Sequence, residues 1–201
     1  MLQIELSGNA EIRRALKMFA PDLEKNLRKE LRAALSPVVQ KAKGYVTNDS
    51  PMRGWQGRAF SEAKFPTYNA AIIRKGIGMR LTPSKVNRNG FSAMASIYNS
   101  TASGAIYETA GIANPQGQPW VGPQLGGYSK KYSHSNNPKA GEQFIRNLPP
   151  LVTSLKGRGR LIFRAWADSR GVAEGAAMKA IDKSITQYKE RAAKAFARRA
   201  A

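Results

Sequence analysis

Apolar residues recur every three or four positions along the first quarter of the chain. This spacing predicts one amphipathic helix that reaches about Lys43. Its apolar stripe consists of Ile12, Leu16, Phe19, Leu23, Leu27, Leu31 and Leu35. Pro21 predicts a break near Ala20 and Pro37 a kink near Ser36, because proline lacks an amide donor and restricts the residue before it. Core packing of the leucines is favoured over a coiled coil, since no strict heptad continues.

Short segments in which apolar and polar residues alternate predict strands. We expect strands at residues 2–6, 71–81 and 91–99, with the last two paired as an antiparallel hairpin, and a further strand at residues 160–166. A C-terminal helix is expected to begin near Asp168 or Ser169. Its predicted apolar face comprises Val172, Ala176, Ala180, Ile181, Ile185 and Tyr188. These elements predict an α+β fold in which a long N-terminal amphipathic helix and a C-terminal helix pack on a small, mainly antiparallel sheet.

Two segments are rich in Gly, Pro, Asn and Ser and predict long exposed loops, at about residues 45–68 and 112–140. We expect both loops to be mobile in the isolated subunit and ordered in an assembly, because such segments bury little surface alone. The length of the chain suits a single domain over residues 1–188. Residues 189–201 keep strong helix formers but lose the apolar stripe, which predicts a basic helical tail.

The charge balance changes the functional picture. The chain has 33 Lys and Arg against 13 Asp and Glu, a formal net charge of +20. Such an excess favours an anionic partner, either nucleic acid or an acidic protein surface. The candidate basic contacts are Arg158, Arg160, Lys189, Arg191, Lys194, Arg198 and Arg199. We find no helix-turn-helix, zinc-finger or RNA-binding-sheet pattern, so any contact with DNA is expected to be with the backbone and independent of sequence.

Residues for catalysis are sparse. The chain has no Cys, and its single histidine, His134, has no acidic residue close in sequence to orient it. A solvated loop histidine is therefore the favoured interpretation. The carboxylates form no cluster with metal-ligand spacing. We expect no enzymatic activity, no cofactor and no metal, and the long uncharged stretches are too polar to predict a membrane span.

The order of the elements and one short motif resemble a known family. The motif runs from Tyr98-Asn99-Ser100 through Ile106-Tyr107-Glu108-Thr109-Ala110-Gly111 to Pro119-Trp120-Val121-Gly122-Pro123. It is similar to that of the tail-completion, or head-to-tail joining, proteins of long-tailed bacteriophages. The positions that match the family motif are Tyr107, Glu108, Gly111, Pro119, Trp120 and Pro123.

The resemblance implies a small α+β virion protein that assembles as a ring, expected to be a hexamer, in the neck or upper tail. Its implied partners are further copies of itself, the neighbouring connector and tail-tube proteins, and genomic DNA through nonspecific contact. It would reside in the host cytoplasm during assembly and then in the virion. The joining protein, the tail terminator and another minor tail component remain alternatives.

The resemblance also implies roles for three residues. Glu108 would be a structural acceptor near a subunit boundary, and Tyr107 and Trp120 would be packing anchors; ordinary core and turn positions carry equal weight for all three. The alternative function is a sequence-independent DNA-binding protein of the nucleoid or packaging type.

Overall fold

The predicted N-terminal helix is present in the computed structural model. Helix α1 spans Pro21–Gly44, and Ala20 lies outside it, as the break predicted at Pro21 requires. Pro21 occupies the first helical position, where its missing N–H has no intrahelical partner to lose. The helix continues through Pro37. The structure describes residues 2–8, 16–18, 20–56, 66–86, 88, 92–123, 131–154 and 157–200, so most of the helix predicted before Ala20 lies outside them.

The described residues contain five strands and, besides α1 and the helical residues 16–18, five further helices. The helices are α2 (Arg53–Gln56), α3 (Ala70–Gly76), α4 (Ala102–Thr109), α5 (Ala140–Asn147) and α6 (Ile162–Ala200). The strands are β1 (Leu2–Gly8), β2 (Ile77–Arg80), β3 (Ser92–Asn99), β4 (Val152–Ser154) and β5 (Gly157–Gly159). One sheet has the order β1-β3-β2, and β4 pairs antiparallel with β5. The α+β class is therefore confirmed, with long N-terminal and C-terminal helices.

The strand predicted over residues 71–81 is wrong for its first half, which forms α3. The side chain of Asn69 caps this helix by accepting a hydrogen bond from the backbone N–H of Ile72 at 3.0 Å. Ile73 and Gly76 are buried, three positions apart, as one face of a helix requires. Only β2 remains as strand, and it is the neighbour of β3 in the sheet.

The strand predicted over residues 160–166 is also wrong, because α6 begins at Ile162 rather than near Asp168. The buried residues of this segment include Leu161, Ile162, Ala165 and Trp166. Arg160 and Phe163 are buried as well, so burial in this segment is nearly continuous, and a short buried apolar run is typical of a strand as well as of a buried helix.

Helix α6 continues through the predicted basic tail to Ala200. Its predicted apolar face is wrong for Val172 and Ala176, which are exposed, while Ala173 and Ala177 are buried.

The segment at residues 45–68 is not simply an exposed loop. Val46, Trp55 and Tyr68 are buried in the described part of it. The Trp55 indole N–H donates to the carbonyl of Pro66 at 2.9 Å, and the backbone N–H of Tyr68 donates to the carbonyl of Trp55 at 2.9 Å. Residues 57–65 lie outside the described residues. Residues 112–123 and 131–139 hold no helix and no strand longer than the single bridge between Trp120 and Ser133.

The chain divides into two compact units that alternate along the sequence. The first comprises Met1–Leu2, Lys41–Ile77 and Asn99–Ala167. Its buried apolar residues include Trp55, Ile73, Tyr107 and Trp166. The second comprises Gln3–Gln40, Gly78–Tyr98 and Asp168–Ala201. The expectation of a single domain over residues 1–188 stays a prediction.

The second unit buries one face of α1, the middle of β3 and one face of α6. Its buried residues include Leu23, Leu27, Leu31, Leu35, Met94, Ile97, Ala173, Ala177 and Ala180. Two ion pairs join α1 to α6. Lys183 Nζ lies 2.7 Å from Glu30 Oε1, and Arg191 Nη2 lies 2.6 Å from Asp22 Oδ2.

Candidate functional site

Glu108 of the family-like motif caps the start of α6. Its carboxylate accepts hydrogen bonds from the backbone N–H groups of Leu161, Ile162 and Phe163, at 2.9, 3.0 and 3.1 Å. These donors have no partner within the helix, because the first N–H groups of any helix lack an acceptor one turn earlier. The helix dipole also favours a negative charge at this end. One side chain thus joins α4 to α6 across more than fifty residues of sequence.

The carboxyl group of Glu108 is fully buried. Burial raises its pKa above the ordinary value, and the three backbone hydrogen bonds and the nearby positive charge of Arg160 oppose that shift. A Cβ atom at Gly159 would collide with the Glu108 carboxylate, so the strand beside it requires glycine for close approach. The arrangement is that of a buried acceptor within the first unit, and the expected place of Glu108 near a subunit boundary stays a prediction.

Arg160 lies inside the first unit and not at its surface, which corrects its assignment as a contact for DNA or a partner. The side chain is only 3% exposed. Its guanidinium donates to the carbonyls of Ala110 at 2.7 Å, Tyr107 at 3.3 Å and Pro149. Burial lowers the pKa of this group, while Tyr107 and Glu108 oppose the shift. Arg160 therefore holds together the segments around α4 and cannot offer its charge to an outside anion.

Tyr107 belongs to an aromatic cluster in the same unit. Its ring lies 6.2 Å from that of Trp55, nearly parallel, and 6.0 Å from that of Tyr68. Phe144 of α5 meets Trp55 edge-on at 5.0 Å. Tyr107 is thus a packing anchor within its own subunit. The sequence pattern did not identify the other three rings, because Trp55 and Tyr68 lie in a segment predicted as a loop and Phe144 lies in a segment without a predicted element.

Gly111 ends the α4 turn with a backbone conformation that suits glycine, at a φ of 86°. A Cβ atom there would lie 2.8 Å from Cγ2 of Ile145 on α5. The glycine of the motif is therefore explained by both its backbone angle and the close approach of α5.

The second half of the motif lies at the surface. Trp120 is 42% exposed, and Pro119 and Pro123 are also exposed. The backbone of this segment is nevertheless held: the N–H of Ser133 donates to the carbonyl of Pro119 at 2.8 Å, and the N–H of Val121 donates to the carbonyl of Ser133 at 3.1 Å. We name residues 119–123 the exposed aromatic segment.

The Trp120 ring is fixed at one edge, because its indole N–H donates to the carbonyl of Ser135 at 2.8 Å. Val121 and Tyr132, each next in sequence to a residue of the bridge, are 48% and 46% exposed. Exposed large apolar side chains that are grouped together are typical of contact surfaces. Within the described residues, the exposed aromatic segment is thus a candidate interface.

His134 lies beside this segment. Its Nδ1 is 3.2 Å from the carbonyl oxygen of Gly122, which matches the expected loop histidine. Among the residues that the structure describes, no group of three or more His, Cys, Asp or Glu side chains lies close enough to hold a metal ion.

The remaining basic candidates whose side chains the structure describes are at the surface. Arg158 is exposed, as are Lys189, Lys194 and Arg198, while the side chain of Arg199 lies outside the described residues. Arg191 is exposed and paired with Asp22, and its hydrogen bond lowers the pKa of that carboxyl group. Arg158 belongs to the first unit, whereas Lys189, Arg191, Lys194 and Arg198 belong to the second.

The middle of the chain carries a strong excess of basic residues. Residues 63–141 carry nine Lys and Arg residues but only one carboxylate, Glu108. Because Glu108 is buried, this stretch presents no acidic side chain to solvent. The signal was readable from the sequence by counting charge between successive acidic residues.

The chain matches no family of known proteins, no curated protein and no solved structure. None of the described helices is long and apolar enough to cross a membrane.

Proposed function

We propose that this chain is a structural virion protein of a tailed bacteriophage. In this role it forms a ring in the neck or upper tail that joins head to tail, and the virion is its final location. The observation that carries the proposal is the exposed aromatic segment, in which Trp120 is 42% exposed on a backbone held by hydrogen bonds. A fixed, partly exposed tryptophan is the kind of residue that contributes most to protein interfaces.

The two halves of the motif support a division of roles. Tyr107, Glu108 and Gly111 stabilise the first unit from within, through the aromatic cluster, the α6 cap and the contact with Ile145. Pro119, Trp120 and Pro123 are exposed and can contact a neighbouring subunit. We infer that the first half orders the scaffold and that the second half mediates assembly.

The charge distribution supports a ring around DNA or against an acidic neighbour. The net charge is +20, and residues 63–141 present no exposed carboxylate among the described residues. A basic surface attracts an anionic partner without reading its sequence. This fits nonspecific contact with genomic DNA that passes through a neck.

The test is the assembly state of the full chain at several concentrations. We expect sedimentation velocity to reveal one closed oligomer, expected to be a hexamer, and negative-stain electron microscopy to reveal rings. A protein that stays monomeric up to hundreds of micromolar, both alone and with the purified connector and tail-tube proteins, would contradict the proposal.

A second candidate, a sequence-independent DNA-binding protein of the nucleoid or packaging type, is favoured by the last turns of α6. Lys189, Lys194 and Arg198 are exposed there. Such a protein binds duplex as a monomer or dimer, with strong salt dependence. Tight duplex binding without ring formation would therefore favour it, and ring formation would favour the virion protein.

A further inference from the structure

A cavity of about 440 Å³ lies in the second unit, where β2 leaves the sheet. It is lined by Arg80 at the end of β2, by residues 82–85 that follow it, and by Ala93 and Ser96 on β3. None of its lining residues belongs to the exposed aromatic segment or to the basic tail.

The wall of this cavity is held by hydrogen bonds to β3. The backbone N–H of Ser84 donates to the carbonyl of Ala93 at 3.0 Å, and the N–H of Ala93 donates to Ser84 Oγ at 2.9 Å. Ser84 Oγ in turn donates to the carbonyl of Lys85 at 3.0 Å. A site whose walls are already ordered loses less entropy when a ligand binds.

Arg80 is also positioned. Its guanidinium carbon lies 5.7 Å from the centre of the Tyr98 ring, which is within cation–π distance. A Cβ atom at Gly78 would lie 2.9 Å from the Tyr98 hydroxyl, so the ring lies close against β2. The contact with the Tyr98 ring therefore holds the guanidinium of Arg80 in a preferred position at the cavity.

The cavity lining is basic and rich in hydroxyl groups. It includes two cations, Arg80 and Lys85, and the hydroxyls of Thr82, Ser84 and Ser96, and none of its residues is acidic. Neither Arg80 nor Lys85 forms an ion pair with another described residue. Residues 63–107 of the chain contain six Lys and Arg and no Asp or Glu.

We infer that this cavity binds a phosphate group. An arginine offers a planar fork that matches phosphate oxygens, and a lysine adds a point charge. The hydroxyls of Thr82 and Ser96 can donate to the remaining oxygens, whereas that of Ser84 already donates to the carbonyl of Lys85. The volume accommodates more than one phosphate group. The source is either the DNA backbone or a free phosphate compound, and the first source rests on the proposed contact with genomic DNA.

The experiment compares the full chain with Arg80→Gln/Lys85→Gln and with Lys25→Gln/Lys29→Gln. The control removes two exposed charges from α1, so it lowers the net charge by the same amount, and neither lysine lines the cavity. Calorimetric titration with sodium pyrophosphate, at constant ionic strength, measures binding of the phosphate group. Fluorescence anisotropy with a labelled duplex measures binding of DNA.

We expect the cavity variant to bind pyrophosphate at least tenfold more weakly than the wild type, and the control to bind it within twofold. If duplex binding also falls at least fivefold in the cavity variant alone, the DNA backbone is the source. If duplex binding stays unchanged, the source is a free phosphate compound.

Equal pyrophosphate affinity in all three proteins, or no binding by the wild type, would overturn the inference. Two controls exclude an effect on folding. Lys85→Gln alone should lose pyrophosphate affinity in the same direction but to a smaller extent, and circular dichroism checks that each variant is folded. Sedimentation of the same samples separates the two proposals, because the cavity variant should keep the oligomeric state of the wild type. Pyrophosphate binding by a protein that forms no ring would leave the cavity assigned and the proposed function contradicted.

Discussion

The carboxylate of Glu108 accepts a hydrogen bond from the backbone N–H of Ile162, at 3.0 Å, and thereby ties α4 to the first turn of α6. The same carboxylate accepts the N–H groups of Leu161 and Phe163. A helix of 39 residues thus begins on a side chain that is far away in sequence. The start of α6 depends on tertiary structure, and this dependence can be measured.

Replacing Glu108 by alanine should destabilise the protein by about 3 kcal/mol or more, because it leaves three buried N–H groups without an acceptor. Urea unfolding followed by circular dichroism measures this. The matched control is Glu142→Ala, which removes a carboxylate from an exposed pair with Arg146 on α5. Such a pair contributes little, so the control should lose less than about 1 kcal/mol. Equal losses in the two variants would contradict the capping role.

The buried position of Glu108 also predicts a pH dependence. Burial raises its pKa in the folded protein above the ordinary value of 4.5, so the folded state holds the proton more tightly than the unfolded chain does. The stabilisation is therefore fully present below the ordinary value and is lost as the pH rises through the raised value.

Glu108→Gln lacks this titration. The free energy of unfolding of the wild type, minus that of Glu108→Gln, should therefore decrease as the pH rises from 4 to 8. Urea unfolding of both proteins at each pH measures the difference. A difference that increases with pH would mean that the three hydrogen bonds outweigh burial and that the pKa is lowered.

The sequence pattern predicted the elements that are stabilised by residues close in sequence. Helix α1 was readable because its leucines repeat at helical spacing, and Pro21 marked its start. The α+β class followed from the order of helical and alternating segments. The start of α6 was misread as a strand, since its cap comes from Glu108 and nothing within residues 160–166 reveals it.

The candidate site was predicted in part. In the structure the first half of the motif lies inside the first unit and the second half is exposed. The sequence had left interface positions and ordinary core or turn positions open for these residues. Arg160 was misassigned because its charge was counted without its burial, and the three carbonyls it contacts come from distant segments. The aromatic partners of Tyr107 were missed because their burial was not visible in the sequence: Trp55 and Tyr68 lie in a segment with the composition of a loop.

Two glycine substitutions should change stability in opposite directions. Gly111→Ala should destabilise the protein by about 1–2 kcal/mol, because its φ is 86° and the new methyl group would lie 2.8 Å from Ile145 Cγ2. Gly175→Ala, in the middle of α6 with no atom within 4 Å of the new methyl group, should stabilise it by about 0.5–1 kcal/mol. Thermal unfolding measures both. The same sign for the two substitutions would mean that the turn after α4 differs from the one described.

The basic tail should contribute nonspecific contacts with phosphate. Lys189→Gln/Lys194→Gln should reduce the slope of the logarithm of duplex affinity against the logarithm of salt concentration by about 1.8, if each lysine neutralises one phosphate. Two oligonucleotides of unlike sequence should lose affinity equally. Lys25→Gln/Lys29→Gln is the control with the same change in charge, and its slope should match that of the wild type. A preference of more than about a hundredfold between the two oligonucleotides would indicate direct base contacts instead.

The most direct test of the ring proposal is native mass spectrometry of the wild type, Trp120→Ala and Val172→Ala. Val172 is an exposed apolar residue of α6, outside the exposed aromatic segment, and serves as the control. We predict one closed oligomer for the wild type and for Val172→Ala, and mainly monomer for Trp120→Ala, with unchanged circular dichroism spectra. A Trp120→Ala protein with the same oligomer as the wild type, or a wild type without any oligomer, would contradict the claim that this segment joins subunits into a ring.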